Sequence, residues 1–211
     1  MNKIQDSRYT LLLPSEVMDH TPLILIPDCS FIFDFIPKEF PAIFIGLEPD
    51  NRNDAYTPWP VPDTTLKGCS FKGKAKEFLN EVITTMIPSV RKKLGNQGKM
   101  GILGISLGAL FGVYATTECP LFSFCASISG SFWYPRFTAY LASVKKPSTS
   151  YYFCCGEDEG KGRKDILKES REATLFIANS LGSKVQFDNK GHLSYHKERI
   201  GQALEWIQSQ L

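Results

Sequence analysis

Gly104-Ile105-Ser106-Leu107-Gly108 is the stretch on which the reading of this chain turns. It has the pattern G-x-S-x-G. It follows an apolar run, Lys99–Ile105, and opens a helical run rich in small residues, Leu107–Tyr114. A serine at such a strand-to-helix turn sits in a strained backbone conformation. Side chains two residues before and after it would collide with each other and with neighbouring strands, so both positions are glycine. The turn lifts the Ser106 hydroxyl above the carboxyl edge of a sheet. It also aims the Leu107 N–H, at a helix N-terminus, where an oxyanion can form. The plainer alternative is a glycine-rich turn that lets a helix pack tightly. Three fixed residues arise by chance about 0.1 times in a chain of this length, and the strand–turn–helix context lowers that further.

Outward from this turn, apolar runs alternate with helical patterns. Tyr9–Leu13, Pro22–Pro27, Ala42–Leu47, Lys99–Ile105, Phe122–Ser129, Tyr151–Cys155 and Lys184–Asp188 read as strands. Lys74–Leu94 reads as a helix with Phe78, Val82, Met86, Val90 and Leu94 recurring every four residues; Pro88 inside it predicts a kink or break. A polar helix follows around Asp165–Leu181. Ile200, Ala203, Leu204, Ile207 and Leu211 mark the stripe of a closing helix. The alternation predicts an α/β fold: a mostly parallel sheet with helices on both faces, built as one domain over residues 1–211. Between Asp50 and Cys69 lies a long proline-rich stretch of the kind that serves a site or moves.

Composition bounds the function. The chain has 211 residues, 43% of them hydrophobic and 22% charged, with a net charge of +2. That balance lacks the cationic field that phosphate backbones select, so nucleic acid is not an expected partner. No apolar run approaches the length of a membrane helix, so no membrane is expected either. The N-terminus MNKIQDSRYT has no apolar core of a signal peptide, which points to a cytoplasmic protein. The six cysteines, Cys29, Cys69, Cys119, Cys125, Cys154 and Cys155, show no Cys-x-x-Cys pair and read as reduced, small apolar residues. No histidine–carboxylate cluster has metal-ligand spacing, and neither G-x-G-x-x-G nor a P-loop is present, so no metal and no cofactor are expected.

A serine hydroxyl needs a base, and the base an orienting acid. On this kind of scaffold the chain order is serine, acid, histidine. Of the three histidines, His20 precedes Ser106, His192 lies in a loop between the last strand and last helix, and His196 falls near the helix start. His192 is therefore the expected base and His196 the alternative. The acid should follow strand Tyr151–Cys155, where Glu157-Asp158-Glu159 offers three carboxylates. The spacing from Gly156 favours Glu159, with Asp158 as runner-up. Asp188 is too close to His192 in sequence for the usual arrangement. Lys161, Arg163 and Lys164 read as a solvated charge run.

Four stretches together resemble the putative-esterase family of α/β-hydrolases, which includes siderophore (enterochelin) esterases and the esterase D group. These are Leu23-Ile24-Leu25-Ile26-Pro27-Asp28-Cys29; Asn51-Arg52-Asn53-Asp54-Ala55-Tyr56-Thr57-Pro58; the Ser106 elbow with Ser127-Ile128-Ser129-Gly130-Ser131-Phe132-Trp133; and Gly191-His192 before a helix carrying Trp206-Ile207. The resemblance runs from about Leu11 to Leu211. It implies an α/β-hydrolase fold, a Ser–acid–His triad and hydrolysis of carboxylic esters. It implies a second oxyanion N–H at Ser30 or Cys29, and a substrate cleft near Arg52 and Trp133. Cys29 stands where the family often has glycine, and no counterpart of the larger siderophore esterases' N-terminal domain is expected within these 211 residues.

On the residues themselves, Arg52 would either bind a substrate anion or hold its loop through an ion pair with Asp54 or Asp50. Trp59, Tyr56, Trp133 and Tyr134 would line a cleft or cap the core. The expectation is thus a serine hydrolase for small or short-acyl esters, siderophore esters included, that takes a small-molecule ester as its partner. Homo-oligomerisation is left open. An acyltransferase, a thioesterase or peptidase, and a non-catalytic binding protein on the same fold remain as alternatives.

Overall fold

A computed structural model describes all 211 residues. In chain order the strands are β1 (Asn2–Gln5), β2 (Tyr9–Leu13), β3 (Leu23–Pro27), β4 (Ile43–Leu47), β5 (Pro60–Val61), β6 (Phe71–Lys72), β7 (Met100–Ile105), β8 (Phe122–Ile128), β9 (Ser150–Gly156) and β10 (Val185–Asp188). The helices are α1 (Cys29–Ile32), α2 (Arg52–Ala55), α3 (Ala75–Glu81), α4 (Ile87–Leu94), α5 (Leu107–Glu118), α6 (Phe137–Ser143), α7 (Ser170–Ser180) and α8 (His196–Gln208). No helix is long and apolar enough to cross a membrane.

Eight strands form one sheet in the order β1-β2-β4-β3-β7-β8-β9-β10. The β1–β2 and β2–β4 pairs are antiparallel and the rest are parallel. Continuous apolar strands such as Leu23-Ile24-Leu25-Ile26 require cover on both faces, and alternate residues supply it. Leu23, Leu25, Ile43, Ile45, Ile102 and Phe153 join the larger core with residues of α3 to α7. Ile24, Ile26, Phe44, Leu103, Ile105 and Cys154 face the smaller core, closed by α1 and by Ile200, Ala203, Leu204 and Ile207 of α8. Cys154 thus looks toward α8, while Cys155 looks the other way, to Thr174 of α7. Strand order reverses between β3 and β7, since β4 lies on one side of β3 and β7 on the other. A crevice opens at the carboxyl ends of such strands, and Ser106 and Asp28 stand there.

Three local features add to or depart from the sequence reading. Polar Asn2–Gln5 adds a mostly exposed antiparallel edge strand before the one expected first. Phe137–Ser143 forms a helix that the periodicity did not reveal. The run Lys74–Leu94, read as one helix with a kink or break at Pro88, is divided ahead of that residue into α3, a wider turn and α4. Residues Val82–Met86 take wider π turns, in which the Ile87 N–H bonds the Val82 carbonyl. Pro88 then sits at the start of α4, and the wider turn before it is where the helix accommodates the missing N–H.

Candidate active site

Ser106 has φ 55° and ψ −119°, a left-handed backbone that a serine adopts only under local compulsion. The compulsion comes from the strand before and the helix after. The Ser106 N–H bonds the Ile128 carbonyl on β8 at 3.0 Å, and its own carbonyl accepts the N–H groups of Ala109 and Leu110. The flanking glycines are sterically required. A Cβ on Gly104 would stand 2.4 Å from the Gly108 carbonyl oxygen; one on Gly108 would stand 2.9 Å from Pro27 Cβ and 3.1 Å from Asp28 Oδ2. Gly112 further along α5 also admits close packing against Ile102 and Cys125. The tight-packing role and the exposed-serine role therefore coexist.

The structure brings the three residues expected to act together into one chain. Ser106 Oγ lies 3.2 Å from His192 Nε2, and His192 Nδ1 lies 2.9 Å from Glu159 Oε2. Ser106 Oγ is also 3.1 Å from the Ser131 hydroxyl, whose backbone N–H donates to the Ser106 carbonyl. Glu159, not Asp158, meets the histidine: Glu159 is buried, whereas Asp158 is exposed and paired with Lys161. Arg163 pairs with Asp165 on the same solvated surface. His20 is exposed beside Asp19, and His196 packs edge-on against Phe31 at 5.1 Å between ring centroids.

Burial alone would raise the Glu159 carboxyl. The hydrogen bond and charge of His192 outweigh it, helped by the Gly156 N–H and the Ser129 hydroxyl, and hold it down at about 2. The carboxylate is divided between two sets of partners. Oε1 accepts the Ser129 hydroxyl at 2.6 Å, the Gly156 N–H at 3.0 Å and the Arg199 guanidinium at 3.0 Å. Oε2 faces His192. Gly156 has to be glycine, because a Cβ there would lie 1.9 Å from the Lys190 carbonyl oxygen.

Across the crevice, Asp28 caps α1 with φ 63°. Its N–H points to the Tyr56 hydroxyl at 3.3 Å, and its carboxylate takes two hydrogen bonds from Arg52, at 2.6 and 2.7 Å. Burial, with Asp28 nearby, pushes the Tyr56 phenol up, so it stays protonated. Arg52 therefore holds its loop, but through Asp28 rather than the Asp54 or Asp50 expected from sequence. Asp54 is buried and accepts the Lys72 N–H instead. Cys29 and Ser30 open α1, and Leu107 opens α5. N–H groups at such positions have no partner within the helix, and the Gly108–Asp28 approach shows that these turns adjoin. Cys29 is in right-handed helical backbone, so it needs no glycine. Its side chain fills the space at Gly46, where a Cβ would come within 2.3 Å of Cys29 Cβ. Burial, reinforced by Glu48, pushes the thiol up to about 11.

The aromatic residues left open between cleft and core fall to the core. Tyr56, Trp133 and Tyr134 are buried, and Trp59 packs against the same cluster. Trp133, expected near the substrate, packs edge-on against Phe71 and beside Tyr134. The Tyr134 hydroxyl donates to the Trp59 carbonyl and the Trp59 indole to the Pro135 carbonyl. These bonds sew the proline-rich loop to the segment after β8. Beside Ser106 and Glu159, the structure adds Ser129, Ser131, Asp188 and Arg199. Arg199 carried a signal: it lies four residues before Ala203, on the apolar stripe of the closing helix.

Comparison with known proteins agrees with this architecture. The family model described as putative esterase matches residues 34–206. The chain is 27% identical over 235 residues to "Uncharacterized protein YbbA" of Bacillus subtilis (strain 168), covering 98% of this chain and 94% of that one. Among solved structures it is similar to an IroE-like serine hydrolase from Shewanella oneidensis, with TM-score 0.78, 19% identity, 99% of this chain and 79% of the other covered. It is also similar to the siderophore hydrolase EstA of Aspergillus nidulans, with TM-score 0.67, 15% identity and 96% and 89% covered. The chain belongs to the putative esterase family, with an α/β-hydrolase fold and the ester-hydrolase chemistry that defines it.

Proposed function

We propose that the protein hydrolyses carboxylic esters through an acyl-enzyme on Ser106. The observation that carries this reading is the continuous chain from Glu159 Oε2 through His192 to Ser106 Oγ, at 2.9 and 3.2 Å. His192 takes the Ser106 proton at Nε2 as Oγ attacks the ester carbonyl. The Nδ1–H of His192 stays bonded to Glu159, which fixes the tautomer and balances the imidazolium that forms. The Leu107 N–H and that of Ser30 or Cys29 meet the oxyanion of the tetrahedral intermediate. Collapse breaks the bond to the alcohol, which leaves with the proton from His192. Water then enters, loses a proton to His192 and releases the acid from Ser106. The proposed substrates are small or short-acyl esters, siderophore esters among them, in keeping with the siderophore hydrolase EstA as a structural neighbour.

The test is hydrolysis of p-nitrophenyl acetate and butyrate by wild type, Ser106→Ala and His192→Ala. Loss of about three or more orders of magnitude in both variants is expected, because triad members act as a unit. Equal rates in all three would end the proposal.

A further inference from the structure

We propose that Arg199 is a positioning residue of this site: with Asp188 as its counter-charge, it aims the Glu159 carboxylate at His192 and sets the pH at which His192 begins to act as a base. The inference rests on the ester-hydrolase reading above. Its ground is a geometry that packing alone does not require. Arg199 stands on the first turn of α8 with its side chain 1% exposed. The guanidinium reaches four segments that meet at the site. One nitrogen donates to Glu159 Oε1 at 3.0 Å and to the Ser129 hydroxyl at 2.6 Å. The others make a two-point bond to the Asp188 carboxylate, at 2.6 and 2.8 Å, and reach the Gly191 carbonyl at 3.3 Å. Gly191 immediately precedes the base.

This arrangement has two consequences. With Oε1 saturated by Arg199, Ser129 and Gly156, only Oε2 is left for the imidazole, so the carboxyl group cannot rotate away from it. The second consequence is electrostatic. A lone buried arginine beside Glu159 would cancel the negative charge that stabilises an imidazolium. Asp188, at the end of β10, restores it: two carboxylates and one guanidinium leave the cluster with one net negative charge facing His192. Burial pushes the other titratable neighbours, Cys154 and Cys155 of β9, well above the ordinary thiol range, so both are neutral. Burial, with Arg199 and His192 nearby, holds His196 of α8 below its ordinary value, so it adds no charge near pH 7. Glu157, Asp158 and Lys190 on the adjoining loops are exposed to solvent and Arg52 neutralises Asp28, which leaves Glu159, Asp188 and Arg199 as the charges nearest the base that water screens least.

A purely structural arginine and a charge-setting one differ in sign. Asp188→Asn removes a negative charge and keeps a hydrogen-bonding side chain. It should move the acid limb of kcat/KM down by about half a pH unit. Arg199→Met removes the positive charge and should move the limb up by a similar amount, with kcat lowered about tenfold to a hundredfold. Joining the two substitutions restores the net charge and should return the limb to its wild-type position. Arg199→Lys keeps the charge without the planar fork, so the limb should stay while kcat falls about tenfold or less.

The experiment is the pH–rate profile of p-nitrophenyl butyrate hydrolysis for wild type, Ser106→Ala and these variants, each checked for folding by circular dichroism. Opposite shifts in Asp188→Asn and Arg199→Met support the proposal. Should Arg199→Met not fold, the downward shift in Asp188→Asn and the unmoved limb in Arg199→Lys decide it. Acid limbs that coincide in all folded variants would overturn it. Wild type and Ser106→Ala hydrolysing equally would instead overturn the ester-hydrolase reading beneath it.

Discussion

Two arginine–carboxylate pairs flank Ser106 at the carboxyl edge of the sheet, and they differ in almost every physical respect. On one side Arg199 and Glu159 are both 1% exposed, and their polar atoms are tied into a closed set of partners. On the other side Arg52 makes a two-point bond to Asp28, where Arg199 gives Glu159 a single one, and the side chains of Arg52 and Asp28 are 42% and 18% exposed. A buried pair carries a large desolvation cost that only a full complement of hydrogen bonds offsets, and removing one partner leaves a stranded charge. A surface pair contributes little, and salt screens it. The same chemistry therefore serves two ends. The buried pair fixes the direction of a carboxylate that a histidine must find. The exposed pair pins the left-handed Asp28 corner from which the Cys29 and Ser30 N–H groups emerge.

The sharpest way to break this contrast is to remove each carboxylate in turn. Glu159→Gln should lower kcat by about two to four orders of magnitude, since the amide leaves His192 without its counter-charge and invites the wrong tautomer. Arg52→Ala, which frees Asp28, should cost only about tenfold, by loosening the corner at Cys29 and Ser30 where the oxyanion is proposed to bind. Equal losses in ester turnover would erase the distinction between the two sides.

Acid titration separates them in stability. The Glu159 carboxyl is held at about 2 against an ordinary 4.5. Its folded value is the lower one, so its contribution is complete above about pH 4.5 and drains away as the pH falls toward 2. The shift corresponds to about 3 kcal/mol as an order of magnitude. Chemical denaturation at pH 7 and at pH 3 should show about 2 kcal/mol of that loss in wild type, and a pH dependence smaller by about that amount in Glu159→Gln.

Salt sharpens the contrast from the other side. Raising the ionic strength to about 1 M should slow wild-type turnover by about threefold or less through the Arg52–Asp28 pair, and should leave Arg52→Ala unaffected. The smallest effect is expected at position 29. Cys29→Ala should keep turnover within about threefold and cost about 1 kcal/mol in thermal unfolding, because that residue contributes its backbone and a modest buried volume. Gly46→Ala should be worse than Cys29→Ala, since its new methyl group meets the Cys29 side chain.

Much of this was legible in the sequence because the backbone imposes residue types there. The Ser106 turn excludes any Cβ at positions 104 and 108, and the parallel strands must be apolar throughout. The order serine, acid, histidine then assigns His192, and the spacing from Gly156 favours Glu159 over Asp158. The rest depended on long-range contact. Nothing in Arg52 names Asp28, 24 positions away, as its partner. Strand β1 is polar because it is an exposed edge, so it lacks the apolar signature of its neighbours. Trp133 and Tyr134 look alike as cleft or core until the proline-rich loop is folded over them. Arg199 was visible only as a charge on an apolar stripe, which marks burial without naming the partner.

The most direct test of the central claim is covalent. Wild type, His192→Ala and Ser106→Ala would be treated with a fluorophosphonate at neutral pH, followed by intact-mass and peptide mass spectrometry. The account expects one adduct per wild-type chain, located on Ser106, forming at least about a hundredfold more slowly in His192→Ala and absent in Ser106→Ala. An unlabelled wild type, or an adduct that persists after Ser106→Ala, would contradict it.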